Sequence, residues 1–182
     1  MKPGKAEKVW VDTPIGRLIL IYTDMPLTLM RILLPGEQMI PAGMGDSFLS
    51  EAHPAADTLS RIIHDALNGV KSQPPWEILS REGITPLQQA VYAQTAAIPY
   101  GGLSTYSGIA ARIGRPKAFR FVGSTLARNP FPILIPCHRV IRSDNKLGGF
   151  GGGADLKQLL IQFEARKAPN KSWMRKNEAI CD

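Results

Sequence analysis

With 182 residues, 44% of them hydrophobic and 20% charged, the chain has the makeup of a globular protein and room for one ordinary domain or two small ones. No apolar run nears the roughly 18 residues of a membrane helix, and Met1-Lys2-Pro3-Gly4-Lys5 leads into charge rather than a greasy stretch. We therefore expect no membrane span, no secretory signal and a cytoplasmic location. The net charge of +7 is unevenly spread: residues 1–100 hold 8 Lys and Arg against 10 Asp and Glu, residues 101–182 hold 14 against 5, a balance that favours a polyanion such as nucleic acid over the alternative of a solvated basic surface.

In chain order, Val9-Trp10-Val11, the turn Thr13-Pro14-Ile15-Gly16, the run Leu18 to Tyr22 and the run Leu27 to Leu34 predict a small antiparallel sheet. Residues 35–47, rich in Gly, Pro and Met, read as a loop. Pro54 opens a helix in which Ala55, Leu59, Ile62, Ile63, Ala66 and Leu67 recur at helical spacing until Gly69. Lys71 to Gly83, with Pro74-Pro75, reads as a linker. Nothing in this half carries identifiable chemistry. Thr85-Pro86-Leu87-Gln88 is a capping box with proline at the first helical position. After Ile98-Pro99-Tyr100-Gly101-Gly102, Thr105 or Ser107 starts a short helix that Gly114 stops. Pro116 starts another, from Lys117 to about Ala127, and the pair has the outline of a helix-turn-helix. The fold class expected is α+β: residues 1–83 a sheet-plus-helix domain with its linker, 84–168 a mostly helical domain, and 169–182 a basic tail.

The chemistry concentrates in Ile133-Leu134-Ile135-Pro136-Cys137-His138-Arg139-Val140, where a thiol adjoins an imidazole at the end of an apolar run. Cys137 and Cys181 are the two cysteines, too few for a disulfide framework or a four-thiolate site, and His53, His64 and His138 lack ligand spacing, so no metal is expected. A free thiol near pKa 8.5 is only about 3% thiolate at neutral pH. A reactive Cys137 therefore needs its pKa lowered by a base such as His138, acting directly or through one water. Neighbours in an extended segment point to opposite sides, so that contact requires a bend or a bridge. An imidazole that takes a proton is served by a carboxylate behind it. Of Asp144, Asp155, Glu164, Glu178 and Asp182, Glu164 is the best placed, on a helix whose apolar stripe is Leu156, Leu159, Leu160 and Phe163. A buried structural cysteine beside a core histidine is the competing reading.

Thr85 to about Lys167 resembles the catalytic domain of O6-alkylguanine-DNA alkyltransferases. The pieces that carry the resemblance are Ile98-Pro99-Tyr100-Gly101, Thr105-Tyr106, Asn129-Pro130, Pro136-Cys137-His138-Arg139-Val140, Leu147-Gly148-Gly149-Phe150 and the helix reaching Glu164, in the family's order and spacing. The resemblance implies irreversible transfer of the alkyl group of O6-alkylguanine in double-stranded DNA to Cys137, by a monomer that needs no cofactor, with O4-alkylthymine left open as a second lesion and the nucleoid as the place of work. It makes His138 the water-mediated base, Glu164 its orienting carboxylate, Asn129 the brace of the active-site turn, and Tyr106 both a phosphate neighbour and a proton donor to the departing guanine. Arg120 becomes the finger that fills the duplex behind a flipped base, with Thr105, Lys117, Gly123 and Arg128 completing the DNA face. Phe150, Gly151, Gly152 and Pro132 line the substrate pocket. Phe150 stands where relatives often carry tyrosine, Gly151 lacks a hydroxyl donor, and one of Phe119 and Phe121 is expected to pack inward. A lesion binder without transfer, a turnover cysteine hydrolase and a transcription regulator are the rival readings.

Overall fold

The structure, a computed structural model, describes residues 6–36, 54–70 and 73–168. Most of the loop read over 35–47, His53, Cys181 and the basic tail 169–182 lie outside the described residues. The fold is α+β.

Strands β1 (Glu7–Thr13), β2 (Gly16–Thr23) and β3 (Thr28–Leu33) form an antiparallel meander in the order β1-β2-β3. The hairpin register runs from Glu7↔Tyr22 to Thr13↔Gly16, and Gly16 closes the turn at φ +110°, a backbone region that suits glycine. Alternation puts Val9, Val11, Leu18, Leu20 and Tyr22 on the side that faces the main core. Helix α1 (Pro54–Leu67) buries Ala55, Ala56, Leu59, Ile63 and Leu67, the apolar stripe its spacing predicts.

The segment read as a linker is built into the fold. Leu79 pairs with Leu29 as an isolated parallel bridge, Leu29 N–H donates to Ile78 O at 2.7 Å, and Ser80 N–H donates to Leu29 O at 2.9 Å. The exposed edge of β3 is thereby covered. One contiguous core then runs from the sheet through Leu79 and Tyr92 to Phe131, Ile135 and Cys137.

Helix α2 (Pro86–Ala96) carries the expected reciprocal box: Gln88 N–H donates to Thr85 Oγ1, and Thr85 N–H donates to Gln88 Oε1. Thr105, not Ser107, caps α3 (Tyr106–Arg112), while Ser104 and Thr105 form a short strand β4 parallel to β5 (Val140–Ile141). After Gly114, at φ +71°, the chain turns into α4 (Phe119–Ala127). This helix starts two residues later than the proline suggests, because Pro116 and Lys117 sit in a turn closed by Ala118 N–H on Arg115 O. Helix α5 (Gly153–Lys167) begins inside the glycine run, with Gly153 as its first residue.

Its buried face is Lys157, Leu160, Ile161 and Glu164, rotated by about one residue from the stripe read in the sequence, and Leu159 is left exposed. A count of apolar side chains misses this face because two of its members are charged and are satisfied by polar partners rather than by packing. No helix among the described residues is long and apolar enough to cross a membrane.

Thr85→Ala removes the side-chain half of the capping box and is expected to cost about 1 kcal/mol in chemical denaturation while leaving the arrangement around Cys137 intact.

Candidate active site

Residues 131–140 are all buried, although none belongs to an α-helix or to a strand until β5. Ile133 to Ile135, which the sequence presents as an extended apolar run, is instead a tight turn. Ile133 adopts φ +77°, costly for a β-branched residue, and its nearly complete burial holds it there. Ile135 N–H closes on Phe131 O at 2.8 Å, and Cys137 N–H on Ile135 O at 2.7 Å. Cys137 to Arg139 then form one 3-10 turn. The chain thus bends here, as it must if a thiol and an adjacent imidazole are to serve one site; Cys137 lines a cavity with Phe150, and the His138 ring centroid lies 6.4 Å from that of Phe150.

Asn129 clasps the turn with both ends of its amide. Its Nδ2 donates to Ile135 O at 2.8 Å and to Cys137 Sγ at 3.2 Å, while its Oδ1 accepts from Phe131 N–H at 3.0 Å. Strand β3 reaches the same place, since Ile32 N–H donates to Pro130 O at 2.8 Å.

His138 is 1% exposed and its Nε2 lies 2.9 Å from Glu164 Oε1. The carboxylate accepts, so Nε2 carries the proton and Nδ1 is the basic nitrogen. Nδ1 is buried and has no hydrogen-bond partner among the described residues. Glu164 also receives Arg139 Nε at 2.8 Å and Nη2 at 2.9 Å, a two-pronged contact, and the Gly101 N–H at 3.1 Å. Arg139 completes its shell on Ile98 O at 2.7 Å. Burial alone pushes the Glu164 carboxyl up, but His138 and Arg139 outweigh it and bring its pKa to about 2. Burial lowers the pKa of His138 against the pull of Glu164, so the imidazole is neutral at pH 7.

The thiol differs from expectation. Burial pushes the Cys137 pKa up, and the Asn129 amide and the Lys157 ammonium only partly counter it. The resting thiol is therefore protonated, and its activation requires a proton acceptor within the cavity rather than a standing thiolate. Lys157 is fully buried, donates to Val140 O at 2.7 Å and lies 5.8 Å from the Tyr106 ring centroid. Desolvation brings its pKa down to about 8, with Cys137 pulling the other way. A cation held there favours negative charge on sulfur.

The cavity at Cys137 is small, about 40 Å³, and is lined by Asn129, Pro132, Phe150 and Gly151 together with Arg31 and Ile32 of β3 and Leu34 just after it. The N-terminal half therefore contributes to the site, contrary to the sequence reading. Gly152 stands behind this wall, where an added methyl would meet Leu156 and Leu34. Tyr106 lies between α4 and the glycine loop. Its hydroxyl reaches Gly149 O at 3.4 Å, and a Cβ on Gly148 (φ +72°) would come within 2.8 Å of that hydroxyl. A methyl at Gly123 would rest in ordinary contact, 3.9 Å from the same ring. Burial, then Cys137, raises the Tyr106 pKa.

Arg120 and Phe119 are exposed on the first turn of α4, with the guanidinium 5.9 Å from the Phe119 ring centroid, while Phe121 packs against the core. Lys117 is exposed just before α4, and Arg128 at its far end as the C-cap. Thr105 is engaged as the cap of α3. Two members of the buried cluster were passed over in the sequence. Arg139 was visible only as part of the Pro-Cys-His-Arg signature. Lys157 was signalled by its place three, four and seven residues before Leu160, Ile161 and Glu164, a lysine on a helix's apolar face.

The depressed Glu164 pKa makes the fold sensitive to acid. A carboxyl at about 2 in the folded chain against 4.5 unfolded contributes stability above 4.5 that is lost as pH falls toward 2, worth about 3 kcal/mol. Glu164→Gln should flatten that part of the stability–pH curve and, by leaving Arg139 buried without its counter-charge, should cost about 3–5 kcal/mol at pH 7.

Comparison with known proteins bears on the same residues. The family model described as the DNA binding domain of 6-O-methylguanine DNA methyltransferase matches residues 86–166. A methylated-DNA–protein-cysteine methyltransferase of Methanosarcina barkeri is 49% identical over 157 residues, 85% of this chain and 94% of the relative. Its namesake from Mycobacterium bovis is 45% identical over 164 residues, 87% of this chain and 92% of its own. Among solved structures, that of Mycobacterium tuberculosis OGT in complex with DNA superposes with a TM-score of 0.69 at 31% identity, covering 90% of this chain and 95% of that one. With the relative from Methanosarcina covered almost end to end, the chain belongs to the methylated-DNA–protein-cysteine methyltransferase family.

Proposed function

We propose that this protein reverses alkylation damage directly, moving the alkyl group of O6-alkylguanine in double-stranded DNA onto Cys137, once per molecule. The observation that carries this reading is a buried thiol on a cavity, next to a neutral imidazole whose Nε2 is tied to a buried carboxylate and whose Nδ1 is uncommitted.

Residues 84–168 act as the catalytic and DNA-binding unit on the scaffold of 1–83. The exposed first turn of α4 enters the groove, and Arg120 fills the gap left by the extruded nucleotide, a task suited to a planar guanidinium that stacks and hydrogen-bonds together. The O6 atom lies within the base stack, so the nucleotide must turn out, at a cost of a few kcal/mol. Contacts from Thr105, Lys117, Arg128 and the backbone N–H groups near them to phosphate help offset that cost and make binding salt-sensitive. A cavity of about 40 Å³ is little larger than the ~30 Å³ share of one water. Admission of a purine therefore displaces the glycine loop around Gly148 to Gly152, which has few side chains to resist.

In the transfer, Cys137 Sγ attacks the alkyl carbon as its bond to O6 breaks, and the thiol proton passes to His138 Nδ1, directly or through one water. Glu164 stabilises the imidazolium that forms, and Lys157 the negative charge on sulfur before it is consumed. Tyr106, whose raised pKa keeps its phenol protonated, supplies a proton to the departing guanine. A thioether has no route to hydrolysis comparable to that of a thioester, so the reaction stops after one event. The protein acts as a cytoplasmic, nucleoid-associated monomer without a cofactor, and O4-alkylthymine, with its alkyl group in an analogous position, is a second lesion to test.

Mass spectrometry after mixing with an O6-methylguanine duplex should find one added CH2 on the Cys137 peptide, at most once per chain and absent from Cys137→Ala. Repeated turnover points to a hydrolase, and binding without a mass change to a lesion binder. The Lys157 charge should also shape the pH profile: transfer weakens as pH rises through about 8. Lys157→Met should lower the rate at pH 7 about tenfold, one pKa unit of thiolate, and lose that alkaline limb.

A further inference from the structure

Among the described residues, the lining of the Cys137 cavity includes one charged side chain, and it comes from the half of the chain to which the sequence assigns no chemistry. Arg31 projects from β3, and the cavity's other lining residues, among them Asn129, Pro132, Phe150 and Gly151, are uncharged. Its guanidinium is exposed and takes part in no hydrogen bond or ion pair among the described residues. Its backbone position is nevertheless fixed relative to sulfur: Ile21 faces it across the sheet, and the next residue, Ile32, donates to Pro130 O at the start of the turn that Asn129 ties to Sγ. A cation held on a strand at the rim of a reactive cavity, with its hydrogen-bond donors unspent, is a receptor for an oxyanion.

Two oxyanions could meet it, a backbone phosphate or a carboxylate at the end of the alkyl adduct, and the geometry favours the second. Phe119 and Arg120, the side chains α4 exposes at its first turn, are at the opposite end of the helix from Leu126 and Ala127, which line this cavity. At 1.5 Å per residue these ends are about 10 Å apart. Arg31 lines the cavity itself rather than the groove-facing turn, and the far end of an adduct lies in that cavity once its first carbon reaches sulfur.

We propose that Arg31 is a specificity-determining residue that favours O6-alkylguanines whose alkyl group ends in a carboxylate, such as O6-carboxymethylguanine. The proposal rests on the transfer reading above. In this transfer the CH2–O6 bond breaks as the Sγ–CH2 bond forms, the thiol proton leaves through His138, guanine departs protonated, and the carboxylate keeps its charge on the new thioether beside Arg31.

The test is the single-turnover rate of Cys137 modification, read by peptide mass, on duplexes carrying O6-carboxymethylguanine or its neutral isostere O6-carbamoylmethylguanine. Full-length wild type is compared with Arg31→Gln and Arg31→Glu, and duplex affinity is measured alongside. The charged-to-neutral rate ratio should fall about fivefold in Arg31→Gln, the strength of an exposed ion pair, and fall further in Arg31→Glu. A ratio unchanged in both variants overturns the proposal. So does an equal slowing of both lesions with weakened duplex binding, which assigns Arg31 to a phosphate. If wild type modifies Cys137 on no alkylguanine duplex, including O6-methylguanine, it is the transfer reading that has failed.

Discussion

One carboxylate with almost no solvent contact organises this protein. Glu164 holds Arg139 by two nitrogens, His138 by one and the Gly101 N–H by another, so four hydrogen bonds from two other segments of the chain converge on its two oxygen atoms. A buried carboxylate with fewer partners would protonate, since desolvation opposes its charge. With these partners it stays ionised, and its charge sets the tautomer of His138. Stability and chemistry share one group: the contact that keeps Arg139 buried also leaves His138 Nδ1 as a base.

The thiol is governed by opposing terms. Burial holds the proton on Cys137, whereas the Asn129 amide and the Lys157 ammonium favour its loss. A sulfur balanced this way keeps its proton at rest and needs an acceptor in order to ionise. That suits a protein whose nucleophile is spent irreversibly, because a standing thiolate would also meet unrelated electrophiles and oxidants. The cost is structural. The turn must carry Ile133 in a left-handed conformation, and it does so because every residue from 131 to 140 is buried.

The N-terminal half is more than a support. Its third strand is covered by the segment around Leu79, bonds through Ile32 to the residue next to Asn129, and contributes a wall of the Cys137 cavity. Any change in the packing of β3 against Pro130 therefore reaches the sulfur through two hydrogen bonds. The two halves, distinct in charge, share a core and a site.

Much of this was legible in the chain. Periodicity gave the meander, α1 and the helix pair, the capping box at Thr85 placed α2, and the Cys-His pair with a carboxylate on a later helix named the reactive cluster. These signals are local, or depend on residue types whose chemistry is unambiguous. What only the tertiary structure decided is whatever depends on distance between remote segments. That Ile133 to Ile135 turns rather than extends and that Arg31 lines the Cys137 cavity follow from how remote segments pack, and that α5 buries Lys157 and Glu164 in place of Leu159 follows from satisfying buried charges across the core. Hydrophobic periodicity carries no term for a charge that is buried because a partner awaits it. The amino-acid sequence by itself determined which groups could react, and the folded chain determined their protonation, their reach and what surrounds them.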